Sequence, residues 1–587
     1  MKKSRLLCFL ILIVISEGCS QAQKSENSPN SKVFPFAVQQ NSETRNQYEA
    51  IGKSFVISTQ GVASTKAAAQ MFHQGGNIID AAVAASFAIS VERPHSTGIG
   101  GGGFLIYREA KTQKVYAIDF RERAPLKATE KMFLNSGGEV IPKLSTDGIL
   151  AAGTPGMVAG VLEIHKRFGK LSRLQVMAPA QLLAENGFAV YKDLAAAILE
   201  RKSILSQYPA SAKIFLKANE EPYRLGDILV QKDLAQTLGK ISKQGAEVFY
   251  RGEIARAIVK ESKSQKGILS LQDLNKYKVK WREPVKGSFH GFDIYSMPPP
   301  SSGGTHVVEI LNILEHDALG TMGYGSVDAI HLEASAMQQA FADRASFMGD
   351  PEFLKSIPLK GLLSKSYAEV IRKNISLEHS KKINEVGAGN PQKYESLETT
   401  NFSILDSEGN MVVSTQTING WMGSGLVVSG TGILLNNEMD DFSAKPGASN
   451  LYGAVGSTAN AIAPLKTPLS SMAPTIILKN QLPVLGLGAP GGTRIITCVA
   501  QTILNYLDFK LPLYESISYL RIHHQWSPDQ IVLESPGFSK LVQQGLQEKG
   551  YKVLVSDIGC RVNAVANETA NLKGVADPRD LGASYGE

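Results

Sequence analysis

Cysteine is scarce: the 587-residue chain has four, of which Cys8 and Cys19 lie near its start. The remaining two, Cys498 and Cys560, are too few for a disulfide framework. Cys498 falls in the apolar run IITCVAQTIL and reads as a buried, inert thiol. Neither a C-x-x-C spacing nor an H-E-x-x-H helix occurs, so metal chemistry has no support in the sequence. A strong charge of one sign is also missing. A net charge of +7 is mild for so large a surface and argues against nucleic acid as a partner. The apolar run from Leu6 to Ile15 is too short for a stable membrane anchor, and no short-period repeat is visible. What remains is ordinarily globular, 43% hydrophobic and 20% charged. Length alone implies two to four domains or one large multilayered domain.

The opening MKKSRLLCFLILIVISEGCSQAQ has the layout of a secretory signal: a basic start, an apolar run, then small residues. Ser20-Gln21-Ala22 favours cleavage after Ala22, making 1–22 the signal. Cys19 offers a lipidation site as the alternative, although Ser16 and Glu17 suit that poorly. Residues 23–50 are rich in Ser, Asn, Gln and Pro and read as a flexible spacer, with order expected near Phe55.

Beyond the spacer, strands and helices mix. Thr65–His73 and Asn77–Ile89 read as two helices around a glycine stop. FLIYREAKTQKVYAIDFRERAP reads as two strands about a polar turn. GTPGMVAGVLEIHKRFGK is a helix with Pro155 near its start and Gly169 just past its end. GIGGGGF, at 98–104, is followed by a strand and not a helix, so close packing is preferred over nucleotide binding. Residues 372–398 lose periodicity and are expected to be mobile.

The character then changes abruptly. NFSIL, SEGN and MVVSTQTI read as strand, turn and strand, with Gly409 where a three-residue turn needs positive φ. Centring the turn on Glu408 sets Thr399 opposite Thr417, within the one-residue uncertainty of a glycine bulge. A threonine is a weak nucleophile without a base, and no histidine is near in sequence. Cleavage of the preceding bond would supply one, because a free α-amine titrates at about 7.7–8.0. An ordinary loop entering a hairpin is the plainer reading of this stretch taken alone.

Several further stretches change that balance. TTNFS, GILLNNEMDDFSAKPGASNLYG, KTPLSSMAPTIIL and LGLGAPGGTRIIT occur in order. With them stand DFRERAP (119–125), MPPPSSGGTH (297–306), ADRASFMGDP (342–351), RIHHQW (521–526) and ADPR (576–579). Together they closely resemble the γ-glutamyltransferase (glutathione hydrolase) family from about residue 55 to the C-terminus. The resemblance implies an α/β (α+β) chain with the four-layer αββα N-terminal-nucleophile hydrolase fold, and cleavage at Glu398–Thr399. That would yield a large subunit, 51–398, and a small subunit, 399–587, forming one unit.

The resemblance also implies roles. Thr399 would be the nucleophile, Thr417 its hydrogen-bonding assistant, and Gly491 and Gly492 the oxyanion hole. Thr400, pointing to the other strand face, is the rival nucleophile. Arg121 would grip the donor's α-carboxylate bidentately, with Ser470 and Ser471 as further hydrogen-bonding positions. Asp441, aided by Asn419 and Glu438, would hold the α-amino group. Residues 445–456, including Tyr452, match a lid loop. His523 and His524 would be structural, and Asn401 stands where many relatives carry His. No cofactor or metal is implied. Expected partners are glutathione and other γ-glutamyl compounds, amino acid or peptide acceptors, and the sister subunit. The expected location is periplasmic or secreted. An acylase or poly-γ-glutamate-processing enzyme on the same fold, and more remotely a non-catalytic envelope binding protein, stay open as alternatives.

Overall fold

The structure, a computed structural model, describes residues 42–389, 400–445, 451, 458–568 and 571–587. Two seven-stranded sheets form its centre. The first has the order Ala583–Gly586, Phe55–Thr59, Thr400–Asp406, Met411–Thr417, Gly102–Arg108, Val115–Asp119, Lys280–Arg282. The second runs Glu49–Gly52, Asn571–Ala576, Asn563–Glu568, Leu482–Gly488, Thr475–Lys479, Phe292–Ser296, Val285–Phe289.

Strand alternation explains the layering. In Thr400–Asp406, Phe402 and Ile404 pack with the helices Val62–His73 and Ile78–Glu92. Asn401 and Ser403 point the other way and bond to Asn563 of the second sheet. Such alternation is what a strand covered on both faces requires. On the far side, the second sheet is covered by the helices Gly303–Leu314 and Arg494–Leu507. The order of layers is therefore helix, sheet, sheet, helix, as the family resemblance implied.

The central hairpin has the expected register. Thr400 pairs with Gln416 and Asn401 with Thr415, and Gly409 turns the chain at φ +85°. The two predicted early helices are present, with Asn77 capping the second through a capping box. Close packing accounts for the glycine cluster. A Cβ on Gly101 would lie 1.9 Å from the Thr417 carbonyl oxygen, and one on Gly100 2.1 Å from that of Leu434.

Three expectations need correction. Order begins before Phe55: Ser42–Tyr48 is helical, and Glu49–Gly52 adds an edge strand beside Asn571–Ala576. A backbone ladder can recruit a polar segment that has no apolar periodicity.

The segment expected to be mobile is tied down over much of its length. Arg372 and Lys373 complete the helix Lys365–Lys373. Farther on, Ser380 N donates to Lys549 O at 2.7 Å and Gly389 N to Asp343 Oδ1 at 2.7 Å. Its remainder, 390–398, lies outside the described residues.

Cys498 is not a free thiol but is bonded to Cys560, 62 residues away in sequence. One bridge is no framework, and a lone pair of cysteines carries no sequence signal of its partnership.

Candidate functional site

The site is assembled where irregular segments leave the two sheets. Arg121 follows the strand Val115–Asp119, and its backbone N–H is fixed by Asp119 Oδ1 at 3.0 Å. Its side chain is fully buried. Nη1 donates to Glu438 Oε1 at 2.5 Å, Nη2 to Asp441 Oδ2 and to Leu469 O at 3.0 Å, and Nε to Pro468 O at 3.3 Å. Four of its five N–H groups are thus engaged within the protein. A bidentate grip on an incoming carboxylate therefore requires Arg121 to exchange a protein partner.

Glu438 and Asp441 stand on one short 3-10 turn, Glu438–Asp441. Asn436 and Asn437 hold its entrance. Asn436 Nδ2 bonds Gly100 O at 2.8 Å and Gly153 O at 3.0 Å. Asn437 Oδ1 accepts from Gly420 N at 2.9 Å. Burial pushes the carboxyls of Glu438 and Asp441 well above the ordinary range, against the pull of Arg121. Glu122, beside Glu438, is pushed up to about 7 by burial. Three acids and one guanidinium leave this buried cluster with acceptors to spare. Glu438 Oε2, Asp441 Oδ1, Asn419 Oδ1 and both Glu122 oxygens have no hydrogen-bond partner among the described residues.

Asn419 has φ +69° and directs Nδ2 to Asn437 O at 3.1 Å, which brings it to the acidic turn. Its backbone N–H donates to Thr417 Oγ1 at 2.7 Å, so Thr417 and Asn419 form one unit. Ser470 and Ser471 follow the two carbonyls that receive Arg121. Ser470 O accepts from Ser302 N at 2.7 Å, and Ser471 Oγ accepts from Arg344 Nη2 at 2.8 Å. Arg344 also bonds Ser302 Oγ at 3.0 Å, joining MPPPSSGGTH, ADRASFMGDP and PLSSMAP into one support.

Thr399 and Tyr452 lie outside the described residues. Thr400, at the start of its strand, donates its hydroxyl to Gln60 Oε1 at 2.5 Å, and the same oxygen accepts Asn401 N at 3.1 Å. Gln60 also helps line a cavity of about 430 Å³ together with Trp421, Asp193, Arg561 and Gly491. Gly491 has φ +135° and Gly492 φ +65°, conformations that favour glycine. Their carbonyls accept Arg494 N and Ile495 N, both at 3.1 Å, opening the helix Arg494–Leu507. Neither amide N–H of the pair donates to another described residue.

His523 bonds Thr497 Oγ1 at 3.0 Å and Gln525 Oε1 at 2.9 Å. Burial holds His523 at about 3 and His524 at about 4, leaving both neutral. Sequence reasoning gave no role to Gln60, Glu122 or Arg344. The last two sit inside quoted motifs and could have been flagged there; Gln60 carries no local signal.

This layered fold is that of the N-terminal-nucleophile hydrolases. A solved cephalosporin acylase from Bacillus halodurans superposes with a TM-score of 0.81 at 26% identity, covering 96% of this chain and 99% of that one. The chain belongs to the gamma-glutamyltranspeptidase family, whose model matches residues 64–586. A glutathione hydrolase proenzyme of Escherichia coli is 42% identical over 538 residues, 91% of this chain and 92% of the relative. The solved gamma-glutamyltranspeptidase of Helicobacter pylori is 44% identical with a TM-score of 0.55, covering 56% of this chain and 94% of that one.

Proposed function

We propose that the protein is an exported γ-glutamyltransferase and glutathione hydrolase that matures by cutting itself between Glu398 and Thr399. The observation that carries this reading is the set of unspent buried acceptors around Arg121. A buried unsatisfied polar atom costs about 1–3 kcal/mol, and an α-ammonium brings three donors. Glu438 Oε2, Asp441 Oδ1 and Asn419 Oδ1 are three such acceptors. Arg121, exchanging a carboxylate of its own for that of the donor, completes recognition of a free amino-acid end.

In this scheme the Thr399 hydroxyl attacks the Glu398 carbonyl carbon, and the peptide bond to Thr399 breaks. The resulting ester is hydrolysed, freeing the Thr399 α-amine and hydroxyl. That amine then takes the hydroxyl proton as the oxygen attacks the donor's γ-amide. Charge developing on the carbonyl oxygen is received by the Gly491 and Gly492 N–H groups. The leaving amine departs with the proton, and a γ-glutamyl ester remains on Thr399. Water, or the amino group of an amino acid or peptide, resolves it. The cavity beside Gly491 and Gln60 supplies room on the leaving-group side. Thr417 orients the nucleophile.

The large subunit, 51–398, and small subunit, 399–587, stay together because the first sheet draws strands from both, as in Phe55–Thr59 beside Thr400–Asp406. The Cys498–Cys560 bridge supports export, since such bonds persist in oxidising compartments. Cleavage after Ala22 releases a soluble protein; lipid on Cys19 would anchor it.

N-terminal sequencing of the smaller fragment is the decisive experiment. A start at TTNFS is expected; a start at TNFS would move the nucleophile to Thr400, and an absent fragment would defeat the scheme. Thr399→Ala is expected to remain a single chain without turnover. The structural likeness to a cephalosporin acylase favours a second reading, hydrolysis of glutaryl-type amides. Comparing γ-glutamyl and glutaryl anilides separates the two, and preference for the γ-glutamyl compound is expected.

A further inference from the structure

Gly491 rests directly on one half of the disulfide. A Cβ built on Gly491 would lie 2.6 Å from Cys560 Cβ and 2.8 Å from Cys560 Cα. The other half, Cys498, stands on the helix Arg494–Leu507, whose first amides bond back to the Gly491 and Gly492 carbonyls at 3.1 Å. The path from Gly491 through the helix to Cys498, across the bridge to Cys560 and back by contact to Gly491 closes on itself. Both cysteines are buried.

The bridge is braced from behind. Arg521 Nη1 donates to Cys560 O at 3.2 Å and reaches Cys560 Sγ at 3.4 Å. Arg521 Nη2 is held by Asp577 Oδ2 at 2.7 Å, and the same oxygen accepts Val562 N at 2.8 Å. Cys560 therefore cannot retreat from Gly491 without disturbing a buried ion pair. Nor can the helix withdraw without breaking a covalent bond.

We infer that the Cys498–Cys560 disulfide is a positioning device for the Gly491 amide, holding its N–H where the oxyanion develops. The inference rests on the oxyanion role proposed above. Its physical ground is that neither N–H of the glycine pair is held by another described residue. Their aim thus depends on what the glycine backbone is packed against. A donor displaced by a fraction of an ångström loses much of its contribution, because preorganisation is what makes such donors effective.

The test uses the full mature protein in two forms. One is the Cys498→Ser/Cys560→Ser double variant; the other is wild type reduced with a phosphine, with free thiols counted by mass after alkylation. Turnover of a γ-glutamyl anilide is measured beside hydrogen exchange of residues 489–496. The expected result is a ten- to hundredfold fall in kcat with donor KM within threefold. Exchange at Arg494 and Ile495 should quicken at least tenfold, while the helix Ile78–Glu92 is unchanged.

A thermal transition lowered with kcat within twofold of wild type would overturn the inference, leaving the bridge a general staple. A donor KM raised more than tenfold would overturn it too, because the bridge would then be holding the glutamyl-binding residues. If the double variant does not fold, the reduced wild type decides. If wild type does not turn over γ-glutamyl anilides, the proposed function fails, and unaltered exchange at 489–496 separately defeats the positioning role.

Discussion

Arg121 and Asp441, 320 residues apart in the chain, are bonded to each other in the buried heart of the site. The groups expected to receive opposite ends of a zwitterion thus neutralise one another until it arrives. Binding is then an exchange of ion pairs, with little uncompensated charge left buried at any stage.

Replacing Arg121 by Gln removes the cation from three buried acids. Removing one partner of a buried pair costs about 3–5 kcal/mol, which urea denaturation would register. In the variant that still folds, donor KM is expected to rise about 100-fold, matching about 2.7 kcal/mol for lost charge-assisted bonds. An unchanged KM would remove Arg121 from donor recognition.

Glu122 makes stability depend on pH. Its carboxyl is raised from an ordinary 4.5 to about 7, chiefly by burial. Between those values the native protein holds a proton that the unfolded chain has released, so stability is greatest below the window and falls as pH rises through it. Glu122→Gln is expected to flatten that decline by up to about 1.4 kcal/mol per pH unit. Urea denaturation at about pH 5, 6 and 7 measures it; an unaltered slope would place the proton on Glu438 or Asp441.

Thr400→Val keeps the strand shape and deletes the hydroxyl bonded to Gln60. Losing one such hydrogen bond costs about 1 kcal/mol. Maturation is expected to continue, with kcat reduced less than tenfold. If Thr400→Val blocks fragment formation on a denaturing gel while Thr399→Ala still matures, the two threonines have been assigned the wrong way round.

Gly491→Ala puts a methyl group against Cys560 at a backbone angle of φ +135°. A fall in kcat of roughly 100- to 1000-fold is expected, the scale of losing one oxyanion donor. Single-turnover kinetics would place that loss in formation of the γ-glutamyl ester. A variant with normal acylation would exclude this amide from the reaction.

Several strands, turns and helices could be read locally, whereas the layering came from the family resemblance. The hairpin register followed from the single glycine-bearing turn at 407–409, and the early helices from alanine-rich runs stopped by glycines. The polar stretches failed for a common reason. Ser42–Gly52 and 374–389 lack apolar periodicity, yet distant strands and side chains satisfy their backbone groups. Gln60, joined to Thr400 across 340 residues of chain, was invisible for the same reason.

The sequence by itself determined where many strands, turns and helices fall, and through its ordered motifs the family, because turn chemistry, periodicity and motif spacing are local properties. Only the tertiary structure decided that Arg121 already holds Glu438 and Asp441, that Cys498 and Cys560 are joined, and that Gly491 leans on their bridge. These are contacts between segments that meet only when the sheets stack, and no spacing along the chain encodes the distances on which they depend.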